Sequence, residues 1–521
     1  MKKLNILLIS ISTYANSQTL SYSFSDEFET LKKYEELSFF KFNETSYASF
    51  YSRDGKDLAI QLFDPSFKSV VTQSIIPLPE ECKKSFVSRM LKIKNEFYLI
   101  YYSFDTKTKN AKMFAYPFDK KTLSFVGPAK KMIDTYQVDD ESYYKYDYSN
   151  DSTKTLTTFR CRRKERKNSI NKDVISFNLC DSKMDLIYAH DIEMPYTESD
   201  MTNLDYEIDS QGNIYVLISV KINNSVDGII TTDKENEDAV RFELLRINQT
   251  THTLEATKLY LDNKYISSPI LSEDLNRNLV VAGYYSDNKK GTSINGAFLF
   301  KVSYDKDGKI KNIIKSYSDF PKDVIVAEAS EREKRKMEKK ESKGELEINN
   351  LKFNKVIFKQ DGSMLIIGEE EYVTESSYSM NGKTYTSKTY YYEDIFLLKT
   401  DSSGKTLWCT KIDKDQSGDK KSFLSFYNYS LNDNDNFIFR DSYIERELVD
   451  ELPEKKLKNK GTYLANVKVD SNGKLTKSLL YIEEDDYDIR PRQFESVSEN
   501  LIVYHVRSDR KNTKILRIQV K

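Results

Sequence analysis

Residues 395–412 read IFLLKTDSSGKTLWCTKI: an apolar run, a turn opened by Asp401 and closed by Gly404, then a second strand-like run. Aspartate suits such a turn because its side chain bonds nearby backbone, and glycine supplies the positive φ that closes it. The unit recurs. It appears as LAIQLFDPSFKSVVTQSI around Asp64, MFAYPFDKKTLSFVG around Asp119 and VISFNLCDSKMDLIYAH around Asp181. It returns as FELLRINQTTHTLEATKLYL around Asn248, FLFKVSYDKDGKIKNIIKSY around Asp305 and LANVKVDSNGKLTKSLLYI around Asp470. Self-similarity at this scale marks a repeat architecture, in which each unit buries its apolar face against its neighbour.

A second element precedes each hairpin: a polar turn and then an alternating or wholly apolar strand. KNEFYLIYY from Lys94, DSQGNIYVLISV from Asp209, LNRNLVVAGYY from Leu275 and KQDGSMLIIGEE from Lys359 are the regular copies. ETSYASFYS from Glu44, DSTKTLTTF from Asp151 and DNDNFIFRD from Asp433 are looser. An eighth copy, SENLIVYHV from Ser498, is followed only by KILRIQVK, so its unit lacks an outer strand, which TLSYSF from Thr19 can supply. The pattern predicts an all-β, single closed β-propeller of eight blades, seven being the alternative, with the ring closed by strands from both chain ends.

The Asp401, Gly404, Trp408 spacing resembles the Asp-x-x-Gly-x-x-x-Trp repeat of exported β-propeller proteins, quinoprotein-like propellers among them. The other six copies lack the tryptophan. The resemblance implies that Trp408 docks one blade on the next. It implies no quinone and no other cofactor.

Composition agrees with a strand-rich chain: 521 residues hold 37 Tyr and 28 Phe but only 16 Gly and 10 Pro, and aromatic side chains suit a pleated, half-buried surface. Charge is balanced at 80 basic against 81 acidic residues, so no nucleic-acid footprint is expected. Lys2 and Lys3, the apolar run Leu4–Ser12 and the small residues Ala15-Asn16-Ser17 read as a signal peptide over residues 1–17. The apolar run is too short to span a membrane. The expected location is exported: periplasmic, cell-surface or secreted. Export favours disulfides, and Cys161 with Cys180 is the candidate pair; Cys82 and Cys409 read as buried apolar residues. No Cys/His spacing suggests a metal.

Long insertions cluster between the second and third strands of a blade or between blades, which lie on one face of a propeller disc. They include the charged insertion at 322–350 and the tyrosine-rich hairpin at 372–392, whose Asn381-Gly382 is a type I′ turn signal. Tyr378, Tyr385, Tyr390 and Tyr391 are the ligand-binding candidates, with blade cover as the alternative role. Asp139, Asp140, Asp485 and Asp486 fall in crossovers that converge on one rim, an acidic collar or ordinary solvated loops.

His190, His252 and His505 stand isolated in the sequence, and no nucleophile elbow, phosphate loop or dinucleotide fingerprint appears. The expectation is therefore a non-enzymatic binding or scaffolding protein for a glycan, peptide or envelope protein. The alternative is a propeller-fold hydrolase or lyase with carboxylates, Tyr and Arg at the axial mouth. Carboxylates meeting Arg or His in one pocket there would favour the enzyme.

Overall fold

Period-two alternation of apolar residues forces these segments into strands, because only a pleated strand sends such residues to one face. The computed structural model describes residues 20–520 apart from 137–143, 162–169, 222–239, 288–292, 327–347, 445–459, 483–486 and 508–511. The positions 30, 56, 69, 81, 83–85, 106, 109, 261, 263, 306–308, 381–382 and 432 are likewise excepted. Proposed signal residues 1–17, most of the charged insertion and the Asn381-Gly382 turn thus lie outside the described residues.

The strands form eight antiparallel sheets of four or five strands, and one two-stranded ribbon, in a propeller-like all-β architecture. Within seven of them the strands follow chain order, over residues 35–76, 86–136, 144–197, 201–259, 265–319, 351–418 and 426–482. The eighth joins both chain regions. Leu20–Phe24 pairs with Asn512–Val520, Leu20 opposite Val520 and Phe24 opposite Leu516, supplying the strand that the eighth unit lacks.

Packing runs from each sheet to the next. Phe50, Ile60, Leu99 and Phe118 join sheets one and two; Phe177, Leu179, Val216 and Leu245 join three and four; Ile367, Leu397, Phe437 and Val467 join six and seven. The eighth sheet also meets the first, through Phe39, Phe63, Phe67, Leu501, Val503 and Ile515.

The Asp and Asn turns form as expected. A side-chain oxygen accepts a backbone N–H two residues on at Asp64 (2.6 Å), Asp119 (2.6 Å), Asp181 (2.8 Å), Asn248 (2.8 Å), Asp401 (2.8 Å) and Asp470 (2.9 Å). Trp408 does dock between sheets: its Nε1 donates to the Ser471 carbonyl at 2.8 Å, in the turn of sheet seven. Gly473 in that turn has φ of 82°, and a Cβ there would sit 2.7 Å from the Trp408 ring. Gly473→Val is expected to cost about 2 kcal/mol through strained backbone and lost docking, read as a lower urea midpoint at unchanged slope.

A β-bulge interrupts the first strand of six sheets, between Glu36 and Ser38, Val87 and Arg89, Asn203 and Asp205, Ser267 and Ile270, Phe353 and Lys355, and Ser496 and Ser498. Bulges re-aim side chains beside them. First strands of several neighbouring sheets lie against one another, among them Glu35–Asn43 with Phe86–Ile93 and with Glu495–Ser498, and Met201–Ile208 with Tyr265–Glu273.

Cys161 and Cys180 do not form the expected disulfide. They sit on paired strands, but Cys161 lies opposite Val174 and Cys180 opposite Thr155. Six positions of strand, about 20 Å, separate them along the hairpin, far beyond disulfide reach.

Candidate functional site

Where sheet eight meets sheet one, a cleft of about 730 Å3 opens on the face that carries the inter-sheet crossovers. Its walls come from residues distant in sequence: the start of Glu35–Asn43, the end of Leu501–Arg507 and the crossover 488–495.

Its polar centre is a chain of four side chains. Ser49 donates from Oγ to Glu36 Oε1 at 2.6 Å. The same carboxylate oxygen lies 2.5 Å from His505 Nδ1, and His505 Nε2 faces the Tyr51 hydroxyl at 3.4 Å. A carboxylate on Nδ1 fixes the tautomer that leaves Nε2 as acceptor, and it supports the imidazolium once Nε2 takes a proton. Phe39 and Phe63 hold the imidazole, their ring centroids 5.3 and 6.2 Å from its own.

Glu495 completes the site, its Oε2 accepting the Phe39 backbone N–H at 3.0 Å. The two carboxyls are driven in opposite directions. Burial, reinforced by the charge of Glu36, pushes Glu495 up to about 7. Burial acts to raise Glu36 as well, but the charge and hydrogen bond of His505, with the Ser49 bond, outweigh it and leave Glu36 lowered. Burial, then the Glu36 charge, raises the Tyr51 phenol well above its ordinary range. Near neutral pH the cleft holds a lowered Glu36 carboxyl against His505, a neutral phenol and a carboxyl poised between its two forms. Environments that separate two carboxyls in this way assign acid and base roles.

Guanidinium groups line the same cleft. Arg490 donates from Nε to Asp488 Oδ1 at 2.7 Å. Arg492 lies 4.5 Å from the Tyr392 ring centroid and reaches towards Glu369 at 3.9 Å. Glu369 belongs to a buried network with Lys414 at 2.9 Å and the Ser425 hydroxyl at 2.5 Å. Arg492 thus ties the base of the tyrosine hairpin to the cleft.

The nominated tyrosines lie on that hairpin, formed by Met364–Met380 and Lys383–Thr400. Tyr378 and Tyr385 are cross-strand partners, 58% and 41% exposed, stacked at 5.4 Å. Tyr391 stacks on Tyr372 at 4.6 Å, and Tyr390 carries Lys421 at 5.1 Å. None of the four lines the cleft; their neighbour Tyr392 reaches it through Arg492. Asp139, Asp140, Asp485 and Asp486 lie outside the described residues.

The histidines are not isolated in space. His190 and His252 meet with ring centroids 4.1 Å apart, and His505 sits in the cleft. Sequence reading missed Glu36, Tyr51, Glu495 and His505 as a group because only the packing of sheet eight on sheet one brings them together.

No family model matches the chain, and no curated protein matches it. Among solved structures it is similar to an acylaminoacyl peptidase of Pyrococcus horikoshii, at 10% identity and a TM-score of 0.33, over 92% of this chain and 58% of that one. It is similar to prolyl oligopeptidase B of Galerina marginata, at 10% identity and a TM-score of 0.37, over 94% of this chain and 55% of that one. An ulvan lyase, described as founding a new polysaccharide lyase family, gives 9% identity and a TM-score of 0.32, over 84% and 90%. The chain spans little more than half the length of the two peptidases. These likenesses are of fold alone, to a propeller type, and give nothing for a quinoprotein. The expectation of a non-enzyme is corrected: the structures named here are titled peptidases and a lyase.

Proposed function

We propose that this chain is a propeller-fold enzyme of hydrolase or lyase type, working by general acid–base chemistry in the cleft between sheets eight and one. The observation that carries this is the pairing of Glu495, raised to about 7, with a lowered Glu36 that grips His505 in the same cleft. Protonated Glu495 gives its proton to the leaving atom, an oxygen in a glycan or a nitrogen in a peptide. His505 Nε2 accepts a proton from water in a hydrolysis, or from a substrate carbon in an elimination. Glu36 holds the ring and supports its positive charge, and Tyr51 donates a hydrogen bond from its neutral phenol. The sheets close as a single eight-bladed ring that sets these groups at its mouth, and the chain is exported; both belong to the proposal.

The test is a pH–rate profile on glycan and peptide substrate panels. As the acid, Glu495 must be protonated, so kcat/KM falls as pH rises through about 7. Glu495→Gln removes that limb. A wild-type profile flat from pH 5 to 8, or a limb that survives in Glu495→Gln, overturns the assignment.

A further inference from the structure

Sheets three and four touch through two of the chain's three histidines. His190 stands on Leu186–Thr197, the last strand of sheet three. His252 closes the turn between Val240–Ile247 and Leu254–Leu259 in sheet four. Their ring centroids lie 4.1 Å apart, and both rings meet Tyr188, at 4.8 and 5.1 Å. Tyr188 is buried beneath them, whereas both imidazoles are exposed.

The place that His252 occupies is a docking seat in other sheets. Its N–H donates to the Asn248 carbonyl at 2.9 Å and its φ is 57°, the left-handed conformation that closes these turns. Gly473 closes the turn of sheet seven and receives Trp408 from sheet six, while Gly404 closes that of sheet six against Ser316 of sheet five. Phe67 and Met184 close the turns of sheets one and three and are fully buried against sheets eight and two. A glycine or an apolar side chain thus seals each of those four seams. At the seam of sheets three and four two exposed imidazoles meet instead, which packing alone does not call for. Among the described residues neither ring makes a hydrogen bond or an ion pair, in contrast to His505, which Glu36 and Tyr51 engage.

We infer that His190 and His252 together bind one late first-row transition-metal ion, zinc, nickel or copper(II), which bridges sheet three to sheet four. Neutral imidazole is the commonest side-chain ligand of these ions. A tetrahedral ion with Zn–N bonds of about 2.0–2.1 Å sets its two nitrogens about 3.3 Å apart. Exposed rings with centroids 4.1 Å apart reach that separation by turning about the Cβ–Cγ bond. No group of three or more metal-ligating side chains forms among the described residues, so water completes the coordination and the ion exchanges with solvent. Two nitrogen donors also select against calcium and magnesium, which take oxygen ligands. This site is independent of the acid–base reading of the cleft, whose histidine is His505.

The test titrates zinc, nickel and copper(II) chlorides into the metal-free full chain, with magnesium chloride as the control, following calorimetric binding and the thermal midpoint. One ion is expected to bind saturably, copper(II) most tightly, while magnesium does not bind and zinc raises the midpoint. His190→Gln and His252→Asn should each weaken binding at least tenfold. Asparagine tolerates the left-handed turn, so a loss in His252→Asn is a loss of the ligand and not of the fold. The paramagnetic resonance of bound copper(II) should report two nitrogen ligands, and one in either variant. His505→Gln is expected to bind as the wild type does. No saturable binding by the wild type, or undiminished binding by the His190→Gln/His252→Asn double variant, overturns the site. Binding that disappears in His505→Gln instead places the ion in the cleft and overturns it equally. Binding with an unmoved midpoint would mean that the unfolded chain holds the ion as well, and overturns a site made by the meeting of two sheets.

Discussion

His505→Gln is expected to lower turnover by about 10²–10⁴-fold, the range for removing a positioned general base, while the thermal midpoint moves by only a few degrees. Glutamine keeps a polar side chain among Phe28, Phe39 and Phe63, whose rings surround the imidazole, but it cannot cycle a proton near neutral pH. Glu36→Gln should cost less, about 10–100-fold, because it leaves the imidazole in place and removes only its orienting charge. The ordering matters. A purely structural cluster would predict the reverse, since Glu36 accepts from Ser49 and meets His505, so its neutralisation would disturb two contacts. Turnover unchanged in His505→Gln would remove the residue from the mechanism.

The same groups leave a mark on stability that needs no substrate. Glu495 rises from 4.5 to about 7 on folding, so the folded state binds a proton that the unfolded state releases across that interval. Its contribution is therefore full below pH 4.5 and is lost as pH rises through about 7. Glu36 has the opposite sign. Its lowered pKa contributes stability above 4.5 that disappears as pH falls through the folded value. Comparing urea midpoints of Glu495→Gln and wild type between pH 5 and 8 isolates the first effect.

The repeat was legible because turn chemistry is local. Asp64, Asp119, Asp181, Asn248, Asp401 and Asp470 each need only the backbone two residues on, whereas the docking of Trp408 was implied only by a resemblance. The cleft was not legible. Glu36 and His505 are separated by 469 positions yet touch, and nothing near either one in the chain announces the other. Bulges beside Glu36 and Ser496 also shift the alternation, so inward and outward positions on those strands cannot be counted from sequence alone. The tyrosine hairpin shows the converse. Its strong local signal fixed the element, but Tyr378 and Tyr385 cover one another, Tyr391 covers Tyr372, Tyr390 meets Lys421, and none of the four lines the cleft.

Because the cleft lies where the first and last sheets meet, the strand Leu20–Phe24 should govern both stability and activity. A chain begun at Asp26 is expected to lose about 4 kcal/mol. Leu20 and Phe24 pack into the cluster that joins sheets seven and eight, with Phe24 5.2 Å from Tyr481 and 5.5 Å from Tyr487. Each such side chain contributes about 2–3 kcal/mol, while the strand's hydrogen bonds are largely offset by the entropy of ordering five residues. The truncation also removes Ser25, whose backbone N–H donates to the Ile515 carbonyl at 3.0 Å and whose hydroxyl accepts the Ile515 N–H at 2.8 Å. Ile515 lies opposite His505 on the adjoining strand, so the loss reaches the imidazole through one register step. A peptide of residues 18–29 added in trans should refill the vacant sheet edge, as an added strand does elsewhere, and restore the urea midpoint and turnover together. Recovery of the midpoint without turnover would detach the cleft from strand closure. A truncated chain as stable as the full one would show that the sheets do not depend on this pairing at all.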